Sequence, residues 1–444
     1  MKRPANPGAE KGKLVAYLNA RLLDPASGLD TLGALLTVGD QIADLGPRLF
    51  ADGVPSGVEI VDCGGLCLSP GLIDMHAFVG EPGAEHKESF ASASAAAAAG
   101  GITTLICLPN TDPAIDEPAI VEYVERRARE NSLVRVQPMA AITKGLKGEE
   151  MAEMGLLVEA GAVAFTDGDR TVASARVMRR ALSYSTLFGK LVIQHAQDPS
   201  LSRDGVMNEG DVATRLGLAG IPVAAEAMVV ERDVRLVALT GARYHVSQVT
   251  AQETLEVIRA AKARGLKVTC GTASHYFALN ENAVNDYRTF AKVSPPLRTE
   301  DDRRAVIEGI KDGTIDVIVS AHLPQDVESK RLPFAQAAFG AAGLETMLAV
   351  ALTLHHDHGL SLNQVLAKMT AAPARLLGLS SRGQLKAGAK ADLMLFDPDK
   401  PWRVDVDKLK GKSKNTPYEG LPLTGKVAMT VVDGLKVFDE RPGS

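Results

Sequence analysis

Three histidines and one aspartate recur at the ends of short apolar runs in this chain. His76 follows Leu72-Ile73-Asp74-Met75, Asp167 closes Ala162-Asp167, His195 closes Leu191-His195, and His245 lies in Arg243-Val246. Imidazole and carboxylate groups are those a protein uses to hold a metal ion or move a proton. Asn110 follows another such run, Ile102-Pro109, and Ser320-Ala321-His322-Leu323 ends Ile315-Ser320. One histidine on a strand is ordinarily a satisfied core residue. Four ionisable groups at four run ends are hard to assign to packing alone. Ala321 is the odd member, because a methyl group neither ligates nor carries a proton.

The elements that would position these groups are strands. Eight runs read as buried parallel strands: Leu66-Asp74, Ile102-Pro109, Val134-Ile142, Ala162-Asp167, Leu191-His195, Arg243-Val246, Leu266-Cys270 and Ile315-Ser320. Helical stretches such as Ala91-Ala99, Ile120-Arg129 and Ala251-Arg264 separate them. Eight strand-then-helix units predict an α/β (β/α)8 TIM barrel over residues 66–377, whose chemistry forms at the C-terminal strand ends. Short alternating runs flank this middle, including Leu14-Leu18, Ala34-Val38, Val58-Val61, Ala391-Phe396 and Val427-Val432. They predict a small β-sandwich built from both chain ends, residues 1–65 and 378–444.

Composition bounds the function. The 444 residues suit a barrel plus a smaller domain, and 45% hydrophobic content with few aromatics gives an aliphatic core. A net charge of -5 gives no electrostatic case for nucleic acid. Cys63, Cys67, Cys107 and Cys270 are scattered and read as reduced thiols. The polar stretch Met1-Lys13 lacks the apolar core of a signal peptide, and no run approaches a membrane span, so a cytoplasmic location is expected.

An ordered set of motifs gives a more specific reading. Pro70-Gly71-Leu72-Ile73-Asp74-Met75-His76, Glu81-Pro82-Gly83, Gly100-Gly101-Ile102-Thr103-Thr104, Leu108-Pro109-Asn110-Thr111, Phe165-Thr166-Asp167, His195-Ala196-Gln197-Asp198-Pro199, His245-Val246-Ser247, Pro295-Pro296-Leu297-Arg298 and Lys414-Asn415-Thr416-Pro417-Tyr418 follow one another along nearly the whole chain. Together they resemble the dihydroorotase family of the amidohydrolase superfamily. The resemblance implies interconversion of carbamoyl-aspartate and dihydroorotate in pyrimidine synthesis by a zinc-bound hydroxide. It also implies a second metal position at Asp167, His195 and His245, with His76 at the first, and substrate contacts at Asn110 and Ser294. Four departures stand against it. Phe78 replaces the second histidine of the family's His-x-His, Gly80 replaces a carboxylate-binding arginine, and Ala321 replaces the strand-eight aspartate that serves as base. Ser294 itself replaces an asparagine.

The resemblance then implies at most one weakly held zinc ion. The same residues equally read as a hydrogen-bonded polar cluster without metal. The leading expectation is a catalytically disabled homologue that acts as a scaffold for aspartate transcarbamoylase, in a homo- or hetero-oligomer. The alternatives are a single-zinc dihydroorotase, or a cyclic amidohydrolase on a hydantoin or allantoin. His322 is expected to face away from Ala321 while the strand persists. His86, His275, His355, His356 and His358 are read as peripheral.

Overall fold

The computed structural model describes residues 12–441. Most of Met1-Lys13 therefore lies outside the described residues. Leu72–Ala77, Ile102–Cys107 and Arg135–Pro138 form one parallel sheet. Ala164–Phe165, Leu191–Gln194, Tyr244–Val246, Val268–Ala273 and Val317–Val319 form a second. The regular ladders do not close a ring. Single parallel bridges span the two seams, Ala140 with Phe165 and Ala77 with His322. At the second seam the Phe78 amide donates to the His322 carbonyl at 2.8 Å.

Most of the strands are shorter than the apolar runs. Leu66-Asp74 is divided: Cys67–Pro70 pairs with the chain-end strands, and the first strand of the parallel set begins at Leu72. Gly71 makes the crossing, where a Cβ would lie 2.1 Å from the Thr103 methyl. The last strand ends at Val319, and Ala321 takes a left-handed φ of 47°. Strict alternation of faces thus stops before Ala321 and His322.

The helices follow from their buried spacing. Pro118–Asn131 starts with proline at its first turn and buries Val121, Val124 and Ala128, a 3–4 stripe. Phe90–Ala99 is closed at its start by a Ser89–Ser92 capping box and buries Ala93, Ala96, Ala97 and Ala98. Small side chains there permit close packing on the strands.

Both chain ends meet in one eight-stranded mixed sheet. Its order is Leu435–Asp439, Pro422–Val432, Leu393–Arg403, Cys67–Pro70, Leu14–Asp24, Leu29–Val38 and Gln41–Gly46, with Glu59–Asp62 also paired to Leu14–Asp24. Tyr17, Leu22, Leu35, Leu68, Leu395 and Met429 form its own apolar core. No helix among the described residues is long and apolar enough to cross a membrane.

Candidate active site

The strand ends gather imidazoles. His76 ends the first strand, His195 follows the fifth, His245 lies in the sixth and His275 follows the seventh. Burial pushes His76 down to about 3, and its neighbours His195, His245 and His275 push the same way. Burial alone takes His275 to about 3, and burial, helped by Lys262, takes His245 there. His195 is lowered by burial as well. The cluster is therefore neutral at pH 7. Sequence reading placed His275 at the periphery. The signal that could have found it was its position, five residues past Cys270 at the end of a strand running to Ala273.

Each imidazole has a hydroxyl within reach or an unpaired nitrogen. His76 Nδ1 lies 2.9 Å from Ser247 Oγ, and His245 Nδ1 lies 2.8 Å from Thr269 Oγ1. His195 Nε2 lies 3.5 Å from Ser294 Oγ. His275 Nε2 is buried and unpartnered. Asn110 lies against Gly168, with its Oδ1 buried and unpartnered.

Asp167 does not join the histidines. Its Oδ1 accepts the Ile142 amide at 2.9 Å and the Thr143 amide at 3.0 Å, and Oδ2 accepts the Thr143 hydroxyl. Burial raises its pKa, against the pull of those bonds. The carboxylate is spent on holding the third-strand loop to the fourth strand. Gly168, the next residue, is the one whose Cβ would point at Asn110.

Phe78 and Ala321, at positions where the family resemblance leads one to expect ligands, are packed among apolar side chains. Both are buried and belong to one apolar cluster with Met75, Ala273, Tyr276 and Leu297. Gly80 has φ 81°, and a Cβ there would lie 2.6 Å from the Glu88 carbonyl oxygen. No arginine fits that backbone as it stands. His322 is buried against other partners: its Nδ1 accepts the Gly343 amide at 3.3 Å, and its Nε2 lies 3.7 Å from Glu88 Oε2.

Zinc, which the sequence motifs imply, meets a poor donor set here. The imidazoles lack a carboxylate among them, because Asp167 is committed elsewhere. Among the described residues, no three His, Cys, Asp or Glu side chains converge in a way that could hold a metal ion. A cavity of about 580 Å³ opens beside His195, walled by Lys147, Glu149, Asp169, Arg170 and Gln197, but His76, His245 and His275 do not line it.

Comparison with known proteins agrees with the motifs. A dihydro-orotase-like family model matches residues 65–254, and an amidohydrolase family model matches residues 327–438. A dihydroorotase of Ehrlichia chaffeensis is 46% identical over 426 residues, 96% of this chain and 95% of its own. A dihydroorotase of Pelobacter propionicus is 46% identical over 420 residues, 95% of this chain and 98% of its own. Among solved structures, L-hydantoinase (dihydropyrimidinase) from Arthrobacter aurescens superposes with TM-score 0.87 at 25% identity, covering 97% of each chain.

Proposed function

The chain belongs to the dihydroorotase family, and we propose that this member no longer performs metal-hydroxide hydrolysis and serves as a binding partner within pyrimidine synthesis. One observation carries the reading. Phe78 and Ala321 pack together in an apolar cluster at two positions where the family's motif places metal ligands, while Asp167 holds backbone amides. A general acid–base alone supplies about 10²- to 10⁴-fold and an electrostatic stabiliser about 10²- to 10³-fold. Both are missing here, together with the arginine that would grip a substrate carboxylate. No catalytic step is therefore drawn through a metal.

The partner we propose is aspartate transcarbamoylase, for which this chain is a scaffold in a mixed oligomer. The fold supports a scaffold without active-site chemistry, because stable complexes need only about 1,200–2,000 Å² of complementary surface. The test pairs elemental analysis and turnover of untagged protein with co-elution of the two chains. Two equivalents of zinc per chain with turnover of carbamoyl-aspartate would overturn the reading. So would an aspartate transcarbamoylase whose assembly is the same with and without this chain.

A second reading has a specific observation in its favour. Relatives 44–46% identical over nearly their full length are named dihydroorotase, which supports an active enzyme interconverting carbamoyl-aspartate and dihydroorotate. That reading needs Asp167 to leave its three hydrogen bonds and turn to the histidines. Turnover abolished by a chelator and restored by zinc would establish it. Turnover of a hydantoin in place of carbamoyl-aspartate would instead favour the cyclic amidohydrolase alternative.

A further inference from the structure

The last parallel strand ends at Val319, and the chain then leaves on a long excursion. Its neck is closed where the Leu323 amide donates to the Ala341 carbonyl at 2.8 Å and Asn415 donates to the Gly340 carbonyl at 3.0 Å. Between these points lies one short helix, Val327–Arg331. The excursion returns Phe334 to the strand ends, where it joins the apolar cluster of Phe78, Ala321 and Tyr276. A segment with so little regular structure draws its local stability from a few contacts.

Two of those contacts are lysines buried without an acid. Lys292, 2% exposed, donates from Nζ to the Phe334 and Ala335 carbonyls at 2.8 and 3.0 Å, and the amine lies 4.6 Å from the centre of the Phe339 ring. Lys330, 4% exposed, donates to the Ala338 and Thr289 carbonyls at 2.7 and 3.0 Å. Lys330 sits on the excursion and Lys292 on the segment beneath it, so each amine ties one to the other. Neutral carbonyls and a ring face hold an ammonium, but they do not offset its lost hydration as a carboxylate would.

The charged groups of the packed segments are engaged elsewhere. Asp326 accepts the Ser329 amide, Glu328 pairs with Arg331, and Glu88 faces His322. Lys412 donates to the Glu85 carbonyl, and Lys414 to those of Leu409 and Gly411. Residues 332–341 carry no ionisable side chain. Burial pushes Lys292 down to about 8, and burial followed by Lys292 pushes Lys330 down to about 7. Asp286 and Arg288, just before Thr289, are paired with neither amine.

We propose that residues 324–340 form a lid over the strand ends, clasped by Lys292 and Lys330 and released as the two amines take up protons. A free lysine holds its proton up to about pH 10.5, so closing the lid expels protons. The closed form is therefore most favoured above about pH 10.5. It loses stability as pH falls toward about 7, below which both amines are charged with the lid open or shut. Opening withdraws Phe334 and uncovers Phe78 and Ala321. No metal or substrate is needed, so the lid is independent of which reading of function holds.

The test is hydrogen exchange of the full chain at pH 7 and pH 9, read as protection factors so that the intrinsic rate divides out. Peptides within 324–340 are expected to open about tenfold or more at pH 7 relative to pH 9, with a ratio near one for the helix Pro118–Asn131. Lys330→Met has no proton to take up and should stay closed at pH 7. Lys330→Arg is charged throughout and should stay open at pH 9. Both should shrink the ratio. Phe334→Ala should open the lid at both pH values and keep the ratio. If the lysine variants fail to fold, titration of isotope-labelled lysines in the wild-type chain decides, because two amines must then titrate below about pH 9. Equal protection at both pH values, no lysine titrating below about pH 9, or an undiminished ratio in the two Lys330 variants would overturn the clasp.

Discussion

Three side chains decide what the strand ends can do, and each makes a prediction. Asp167 supports two backbone amides and a hydroxyl. Asp167→Ala strands buried donors and should cost about 1–3 kcal/mol per unsatisfied group. Asp167→Asn keeps an acceptor for the amides and should cost less, an ordering that denaturant midpoints would check. Ala321 sits at φ 47°, a region Asp tolerates better than most residues. Ala321→Asp should therefore fold, yet give neither zinc uptake nor turnover, because Phe78 and the commitment of Asp167 remain. Robust turnover by that single variant would show that those two obstacles matter little. Gly80 is the harder position. Gly80→Arg forces a side chain into a left-handed backbone against the Glu88 carbonyl. It should destabilise by about 1–3 kcal/mol from backbone strain alone, so restoring all three family residues together should lower the melting temperature before it restores chemistry.

Local segments carry a second kind of control, seen where 409–418 straps the loops after the first and last parallel strands. Glu345 accepts the Lys410 and Gly411 amides at 2.7 and 3.0 Å, and Lys412 offers its amide to Glu88. Burial raises Glu345 to about 7, against the pull of those amides and of Lys414 and Lys410. The folded protein therefore holds this proton more tightly than the unfolded chain. The resulting stability is full below about pH 4.5 and is lost as pH rises through about 7. Glu345→Gln keeps a carbonyl acceptor without a buried charge. Its denaturant midpoint should exceed wild type at pH 8, and the difference should shrink toward pH 5.5. Equal differences at both pH values would rule out the titration. The motif Lys414-Asn415-Thr416-Pro417-Tyr418 marked the end of this strap in the sequence, but nothing there showed its hold on Glu88 and Glu345. What the sequence did reveal was element order: apolar runs located the parallel strands, and the stretches between them, such as Ile120-Arg129 and Ala251-Arg264, located helices. Side-chain direction at strand ends stayed hidden, because the strands stop at Phe165 and Val319, before Asp167 and His322, and alternation no longer fixes where those side chains point. His275 was hidden for the same reason, since its strand runs three residues beyond the apolar run that marked it.

At the scale of the whole molecule, the chain-end sheet and the parallel strands share a seam that binds them into one folding unit. Cys67–Pro70 pairs with Leu14–Asp24 on one side and Leu393–Arg403 on the other, and the first parallel strand starts at Leu72. Across the seam, Thr430 donates to the Ala98 carbonyl at 2.7 Å, and Gly101 lies so close to Met394 that a Cβ would meet its sulfur at 2.1 Å. A chain ending at Gly388 would lose Leu393–Arg403, Pro422–Val432 and Leu435–Asp439. Cys67–Pro70 would then become an exposed, apolar edge, which invites intermolecular pairing. The 409–418 strap would go as well, leaving Glu88 and Glu345 without their amides. The intact chain should melt in a single calorimetric transition, and the truncated chain should collect in inclusion bodies or bind a hydrophobic dye strongly. A soluble truncated chain that retains a sharp transition would mean that the parallel strands fold without the sheet, and that the seam joins two independent bodies.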